Sequence, residues 1–191
     1  MSDSRRAHLD LIRVVSSGSE LQQMIECLAD EVIGGCSDLS NLALIGIRSR
    51  GVPLAERLAE MISQRTSCDV DVGALDITLY RDDVFQGLAI PEVGVTEVPF
   101  EVDGKFVVLV DDVFFTGRTV RAALDAVMDF GRPRWLRLLV LVDRGHRELP
   151  IRPDYVGLTL ETDQSESVEV KMLESDGEDR IAIFRRKGKP S

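Results

Sequence analysis

The chain is short of the residues that would define several common protein classes. Its 191 residues include only 3 cysteines and 2 histidines, namely Cys27, Cys36, Cys68, His8 and His146, with no CxxC pair. An odd number of thiols without a CxxC pair and with so few imidazoles gives little support to a disulfide framework or a zinc site, so the cysteines read as free thiols. Basic residues are outnumbered, 23 against 33 acidic ones, for a net charge of −10. No chain-wide positive field therefore draws the protein to nucleic acid or an anionic membrane, and any RNA partner must meet a local patch. Nowhere do ~18 apolar residues run together, and MSDSRRAHLDLIRVVSSGS at the start carries arginines without an apolar core and small-residue cleavage site. The expectation is a cytoplasmic protein with no membrane partner. Two nucleotide-binding patterns are also missing. GIRSRG at 46–51 runs into Val52-Pro53 where a Walker A loop needs Lys-Ser/Thr, and no GxGxxG occurs.

What is present suffices for one core. With 44% hydrophobic residues over this length, a single domain is expected at 19–184, preceded by a flexible N-terminal arm at 1–18 and followed by a basic tail at 185–191. Ser19 with Gln22 suits a capping box, and Leu21, Met24, Ile25, Leu28 and Val32 then recur at helical spacing up to Gly34-Gly35. Leu42 to Ile47 is a short buried-strand run, and RSRG leads from it into a helix with Pro53 in the first turn. Val70 to Leu79 reads as the next strand, and 84–95, with Gly87, Pro91 and Gly94 and no sustained period, as an irregular loop. Asp103-Gly104 between Val98–Val102 and Lys105–Val110 predicts a β-hairpin. Val120, Ala123, Leu124 and Val127 mark another helix, stopped by Gly131 and Pro133, before the strand Trp135 to Val142. Val168, Val170, Met172 and Leu173, then Ile181 to Phe184, suggest two outer strands, with the acids between 161 and 179 as a solvated face.

Two strand-turn-helix units with almost continuously apolar strands indicate an α/β fold, an open and mainly parallel sheet flanked by helices. Such sheets take ligands at the carboxyl ends of their strands, where both RSRG and DDVFFTGRT fall. In FVVLVDDVFFTGRTVRAAL, Thr116, Gly117, Arg118 and Thr119 form a turn at a helix N-terminus, where unpaired N–H groups suit a phosphate. Asp111 and Asp112 repel phosphate, so they must face sugar hydroxyls or a cation complexed by a polyphosphate. A sugar phosphate has both chemical ends. The plain alternatives are a solvated loop and ordinary turn chemistry. A phosphoacceptor signalling domain also places an acid pair after an apolar strand, but one starting near 106 has too little chain left for its remaining strands. Arg48 and Arg50 at a strand end suit a polyanionic leaving group. His146, in a GHRELP turn, reads as structural in preference to a general acid or base.

VVLVDDVFFTGRTVRAALDAV resembles the ribose-5-phosphate motif of type I phosphoribosyltransferases. DITLYRDD at 76–83, RPRWLRLLVLVDRGHRELPIRPDYVG at 132–157 and ESVEV at 166–170 narrow the resemblance to the PyrR family of pyrimidine-operon regulators and uracil phosphoribosyltransferases, over Leu42 to Phe184. The resemblance implies a type I phosphoribosyltransferase-like sheet with a small hood of outer strands. It implies transfer of ribose 5-phosphate from phosphoribosyl pyrophosphate (PRPP) to uracil, giving UMP and pyrophosphate, with Mg2+ carried by PRPP and no metal bound directly by the protein.

Carried over by position, Asp111, Asp112 and Arg81 become catalytic residues. Val110 to Val113 and Thr116 to Thr119 hold the phosphoribosyl group, and Arg48, Ser49, Arg50 and Gly51 form the pyrophosphate loop. Val142, Asp143, Arg144 and Val168 meet the nucleobase, and Arg81 belongs to a loop that closes over the ligand. The resemblance further implies a homodimer or higher homo-oligomer, and pyr leader RNA as a partner. Two stretches depart from the family: Glu26-Cys27-Leu28-Ala29-Asp30-Glu31 stands where it reads T-R-I-A-H-E, and Asp163-Gln164-Ser165-Glu166-Ser167-Val168 where it reads S-K-S-E-K-V. They put acids and neutral side chains in place of basic ones and leave Arg134, Arg137, Arg147 and Arg152 as basic contacts. The rival readings are a uridine-nucleotide-sensing RNA-binding attenuator with weak or no catalysis, and a phosphoribosyltransferase for another base.

Overall fold

Local chemistry sets where the first elements start. In the computed structural model, which describes residues 9–80 and 94–186, Leu9–Ser17 forms strand β1 and Gly18–Gly35 helix α1. The helix is capped two residues earlier than the Ser19/Gln22 pattern predicts, because the Ser17 N–H donates to the Glu20 carboxylate at 3.0 Å. Residues 9–17 are thus a strand in place of the expected arm. Their exposed Leu11, Ile12 and Val14 lack the alternation that signals a half-buried strand.

The remaining elements are β2 (Leu42–Ile47), α2 (Gly51–Thr66), β3 (Asp71–Leu75), β4 (Phe106–Phe114) and α3 (Arg118–Met128). After them come β5 (Trp135–Asp143), β6 (Tyr155–Thr159), β7 (Glu166–Lys171), the single turn α4 (Leu173–Asp176) and β8 (Arg180–Arg186). Strand β3 stops at Leu75, short of the expected Leu79, where the Asp76 carboxylate accepts the Thr78 N–H at 2.7 Å and folds the chain into a tight turn.

Five strands pair in the order β3-β2-β4-β5-β6, all parallel. Because β4 has β2 on one side and β5 on the other, neither edge is free for an antiparallel partner, and the expected hairpin around Asp103-Gly104 does not form. The turn itself is present, with Gly104 at φ +73°, but the chain before it runs along the outer edge of β3, where Ala74 and Glu97 exchange both backbone hydrogen bonds at 2.7 and 2.8 Å.

Each face of the sheet carries its own core. Val108 and Val110 of β4 point to the α1 and α2 side, with Ile25, Leu28, Leu54 and Leu58. Val107 and Leu109 point to the α3 side, with Val120, Ala123 and Val127. This alternation explains why the strand is apolar at every position up to Asp111. A second, antiparallel sheet of order β1-β8-β7 makes the hood, and its Val170, Ile181 and Ile183 join the α1/α2-side core. The chain moves from β2 outward to β3 and then back across to β4, so the strand order reverses between β2 and β4. That reversal opens a crevice at the carboxyl ends of these two strands.

Candidate active site

Two glycines bring the crevice walls together. A Cβ on Gly51 would lie 2.4 Å from the Val110 carbonyl oxygen, and one on Gly46 would lie 2.5 Å from the Gly51 carbonyl oxygen. Only hydrogen fits at either place, so the loop after β2 folds down against β4 just before its two aspartates. Arg48 leaves the loop through a hydrogen bond from its Nε to the Val95 carbonyl at 2.8 Å. Asp76 ties the same region, accepting the Gly94 N–H at 2.6 Å. Ser49 is exposed, and its peptide bond to Arg48 is cis.

Asp111, buried, and Asp112, half-buried, end the apolar part of β4. Asp111 is 6% exposed, and one of its oxygens accepts the Asp112 N–H at 2.9 Å. Burial, reinforced by the neighbouring charge of Asp112, pushes the Asp111 carboxyl well above the usual carboxylate range. Burial also raises Asp112, against the hydrogen bond from Asp111 and the attraction of Arg50. Arg50, in the loop after β2, and the acid pair thus share one electrostatic neighbourhood. An acid pair so poorly solvated favours partners that ionise it, which hydroxyl donors or a cation would do.

The Thr116–Thr119 turn follows within a few residues. Gly117 at φ +91° reverses the chain so that α3 starts at Arg118, its N-terminus at the carboxyl end of β4. The Thr116 carbonyl accepts the Glu148 N–H at 3.0 Å, which fastens the turn to the β5–β6 loop, while Thr119 sits half-buried in the first helical turn. Arg118, expected to lend charge to a ligand, directs Nε to the Glu148 carboxylate at 2.8 Å and is exposed. Of the neighbouring valines, Val110 is buried and Val113 packs against the α1/α2-side core.

The expected nucleobase residues lie next door, since Phe114 pairs with Asp143 across β4 and β5. Val142 is buried, and the Asp143 carboxylate accepts the Gly145 N–H at 2.9 Å. Arg144 is a support for the site: only 5% exposed, it stacks on Phe115 at 4.0 Å. It also donates to the Glu166 carbonyl at 2.7 Å. His146 places Nε2 2.6 Å from the Thr162 carbonyl, which makes it a donor that ties the loop after β5 to the loop after β6. A cavity of about 340 Å3 lies between the segments 143–147 and 159–162. Val168 is half-buried against the α1/α2-side core. Arg81 and most of the 84–95 loop lie outside the described residues.

Sequence reasoning missed the contacts that cross the fold. Glu148, Phe115 and Thr162 buttress the 116–119 turn and the loop after β5, and Asp176 of α4 binds Arg50. None has a local signal, because each pair is separated by many residues and meets only when the sheet closes.

The family model described as phosphoribosyl transferase domain matches residues 17–175. The hypoxanthine phosphoribosyltransferase of Trypanosoma cruzi superposes with a TM-score of 0.69 at 16% identity, over 93% of this chain and 98% of that one. A hypoxanthine-guanine phosphoribosyltransferase from Bacillus anthracis gives 0.63 at 17% identity, over 92% and 98%. Fold and site define a phosphoribosyltransferase. Among curated relatives, the bifunctional protein PyrR of Pelotomaculum thermopropionicum is 56% identical over 86% of this chain and 91% of its own length. That of Thermus thermophilus is 52% identical over 88% and 93%. The chain belongs to the PyrR family of phosphoribosyltransferases.

Proposed function

We propose that the protein transfers ribose 5-phosphate from PRPP to uracil, giving UMP and pyrophosphate. The observation that carries this reading is the placement of the Asp111–Asp112 pair, buried and half-buried, between the arginine loop after β2 and the turn that opens α3. One ligand with hydroxyls in its middle and phosphates at both ends satisfies all three. Asp111 and Asp112 accept from the ribose hydroxyls, Thr116 to Thr119 take the 5′-phosphate, and Arg48 to Gly51 take the diphosphate. As the bond from the anomeric carbon to the diphosphate breaks, positive charge develops on the ring, and positioning with electrostatic stabilisation dominates over covalent catalysis. Uracil N1 forms the new bond and loses its proton. Mg2+ enters with PRPP, and the two carboxylates are oxygen donors of the kind a hard cation takes. The base end lies at the carboxyl end of β5, around Val142 to Arg144 with Val168, and Arg81 belongs to the covering loop.

The test is a panel of bases offered with PRPP while pyrophosphate release is followed. Uracil is the base converted. Turnover of another base with none of uracil would overturn the assignment.

The relatives are named bifunctional, and a second role is proposed with them: uridine-nucleotide-dependent binding of pyr leader RNA. The departures on α1 are less acidic in the fold than in the sequence, because Arg65 bonds Asp30 at 2.5 Å and approaches Glu26 at 4.0 Å. Arg134, Arg147 and Arg152 are exposed and available to phosphates.

A further inference from the structure

The single helical turn of the hood reaches across 126 residues of sequence to hold the pyrophosphate loop. Arg50 donates Nε and Nη2 to the two carboxylate oxygens of Asp176, at 3.0 and 2.9 Å. The side chains are 19% and 11% exposed, so this is a largely desolvated, two-pronged pair. Each partner favours the charged form of the other: Asp176 is held below the usual carboxylate range by the hydrogen bond from Arg50, and Arg50 is raised by the same bond.

The mount under Asp176 is itself fixed. Its Oδ2 also accepts the Met172 N–H at 3.1 Å, and the turn that carries it is clamped to α2 by Arg57. Arg57 donates to Glu174 at 2.6 and 2.7 Å and to Asp179 with two bonds of 2.8 Å. Asp179 in turn accepts the Leu173 N–H at 2.7 Å. A carboxylate held this way is a built support.

We propose that Asp176 is a positioning residue for the transfer reaction, holding Arg50 by its Nε–Nη2 edge so that the Nη1 side of the guanidinium is presented to the diphosphate. An unpaired Arg50 would keep its charge but sample many rotamers and be drawn toward Asp112, whose field it already feels. The ligand would then have to order it. A preheld planar fork loses little freedom on binding. This inference rests on the phosphoribosyl transfer reading.

The experiment is the reverse reaction, UMP with pyrophosphate, on the full-length wild type, Asp176→Asn and Asp176→Glu, with melting temperatures measured alongside. Asp176→Asn raises KM for pyrophosphate by about tenfold and leaves KM for UMP within about twofold. Asp176→Glu, which keeps the charge, recovers most of the loss. A variant with a lower melting temperature or kcat and unchanged KM for pyrophosphate would make Asp176 a structural residue only and overturn the proposal. A lower KM for pyrophosphate would overturn it as well, since Asp176 would then be a competitor of the ligand. If the wild type turns over no nucleotide in either direction, the transfer reading itself fails, an outcome distinct from either of these.

Discussion

Gly51→Ala tests the packing on which the whole crevice depends. An added methyl would sit 2.4 Å from the Val110 carbonyl oxygen and 3.3 Å from the Asp111 Cα. A carbon and a carbonyl oxygen rest at roughly 3.3–3.6 Å, so the loop and β4 must part by about 1 Å. Neither side yields easily, because Gly46 and Val110 are paired in the β2–β4 ladder and Gly51 opens α2. Overpacking of this kind costs about 1–3 kcal/mol. For a domain of this size that is a drop in Tm of roughly 2–12 °C. The catalytic loss is larger in proportion, because the displacement separates the diphosphate loop from the acid pair, and an error of about 1 Å in placement can cost about 100-fold in rate. Thermal melting and uracil-dependent pyrophosphate release read the two effects separately. Gly104→Ala is the control, since that glycine has φ +73° and no atom within 4 Å of its Cβ position, so its loss is confined to backbone strain and kcat/KM is retained. A Gly51→Ala protein with Tm within about 1 °C and kcat/KM within about twofold of wild type would refute the packing argument.

Asp111→Asn lowers kcat/KM by about ten- to a hundredfold through loss of charge-assisted bonds to the ribose, yet raises the Tm of the unliganded protein at neutral pH. The sign follows from burial: Asp111 has a folded pKa above its unfolded value of about 3.9, so the folded state retains its proton longer and stability declines as pH rises from that value through the raised folded one. Melting curves from pH 4 to 8 check it, and an asparagine variant less stable than wild type across that range would contradict it. For RNA, binding to a pyr leader requires UMP and weakens linearly in the logarithm of salt concentration, as expected for a few phosphate contacts. Absence of UMP-dependent binding in a filter or gel-shift assay at low salt would remove the regulatory role.

The strand β2, the helices α1, α2 and α3, and the turn that opens α3 were legible because their signals are local. Apolar runs, helical spacing and a Thr-Gly-Arg-Thr turn after two acids need no distant partner to be recognised. The hairpin at Asp103-Gly104 failed for the opposite reason. A turn dipeptide specifies a reversal, but whether the flanking residues pair depends on which strands already occupy the sheet edges, and β2 and β5 occupy both edges of β4. Strand β1 was unreadable because its exposed apolar face breaks the two-residue period.

By itself, the sequence determined the chemistry on offer: two carboxylates, an anion-binding turn and an arginine loop, each at the carboxyl end of an apolar strand, with PyrR-like segments around them. Tertiary structure decided how those groups act on one another. Reversal of strand order between β2 and β4 set the acid pair against the arginine loop, and burial raised the Asp111 pKa. Closure of the hood gave Arg50 a carboxylate from 126 residues away and Arg144 the Glu166 carbonyl, while the adjacent ends of β4 and β5 turned Arg118 toward Glu148 and stacked Arg144 on Phe115. Charge and hydrogen-bonding capacity belong to residue types, whereas desolvation and pairing depend on distances that exist only once the chain has folded.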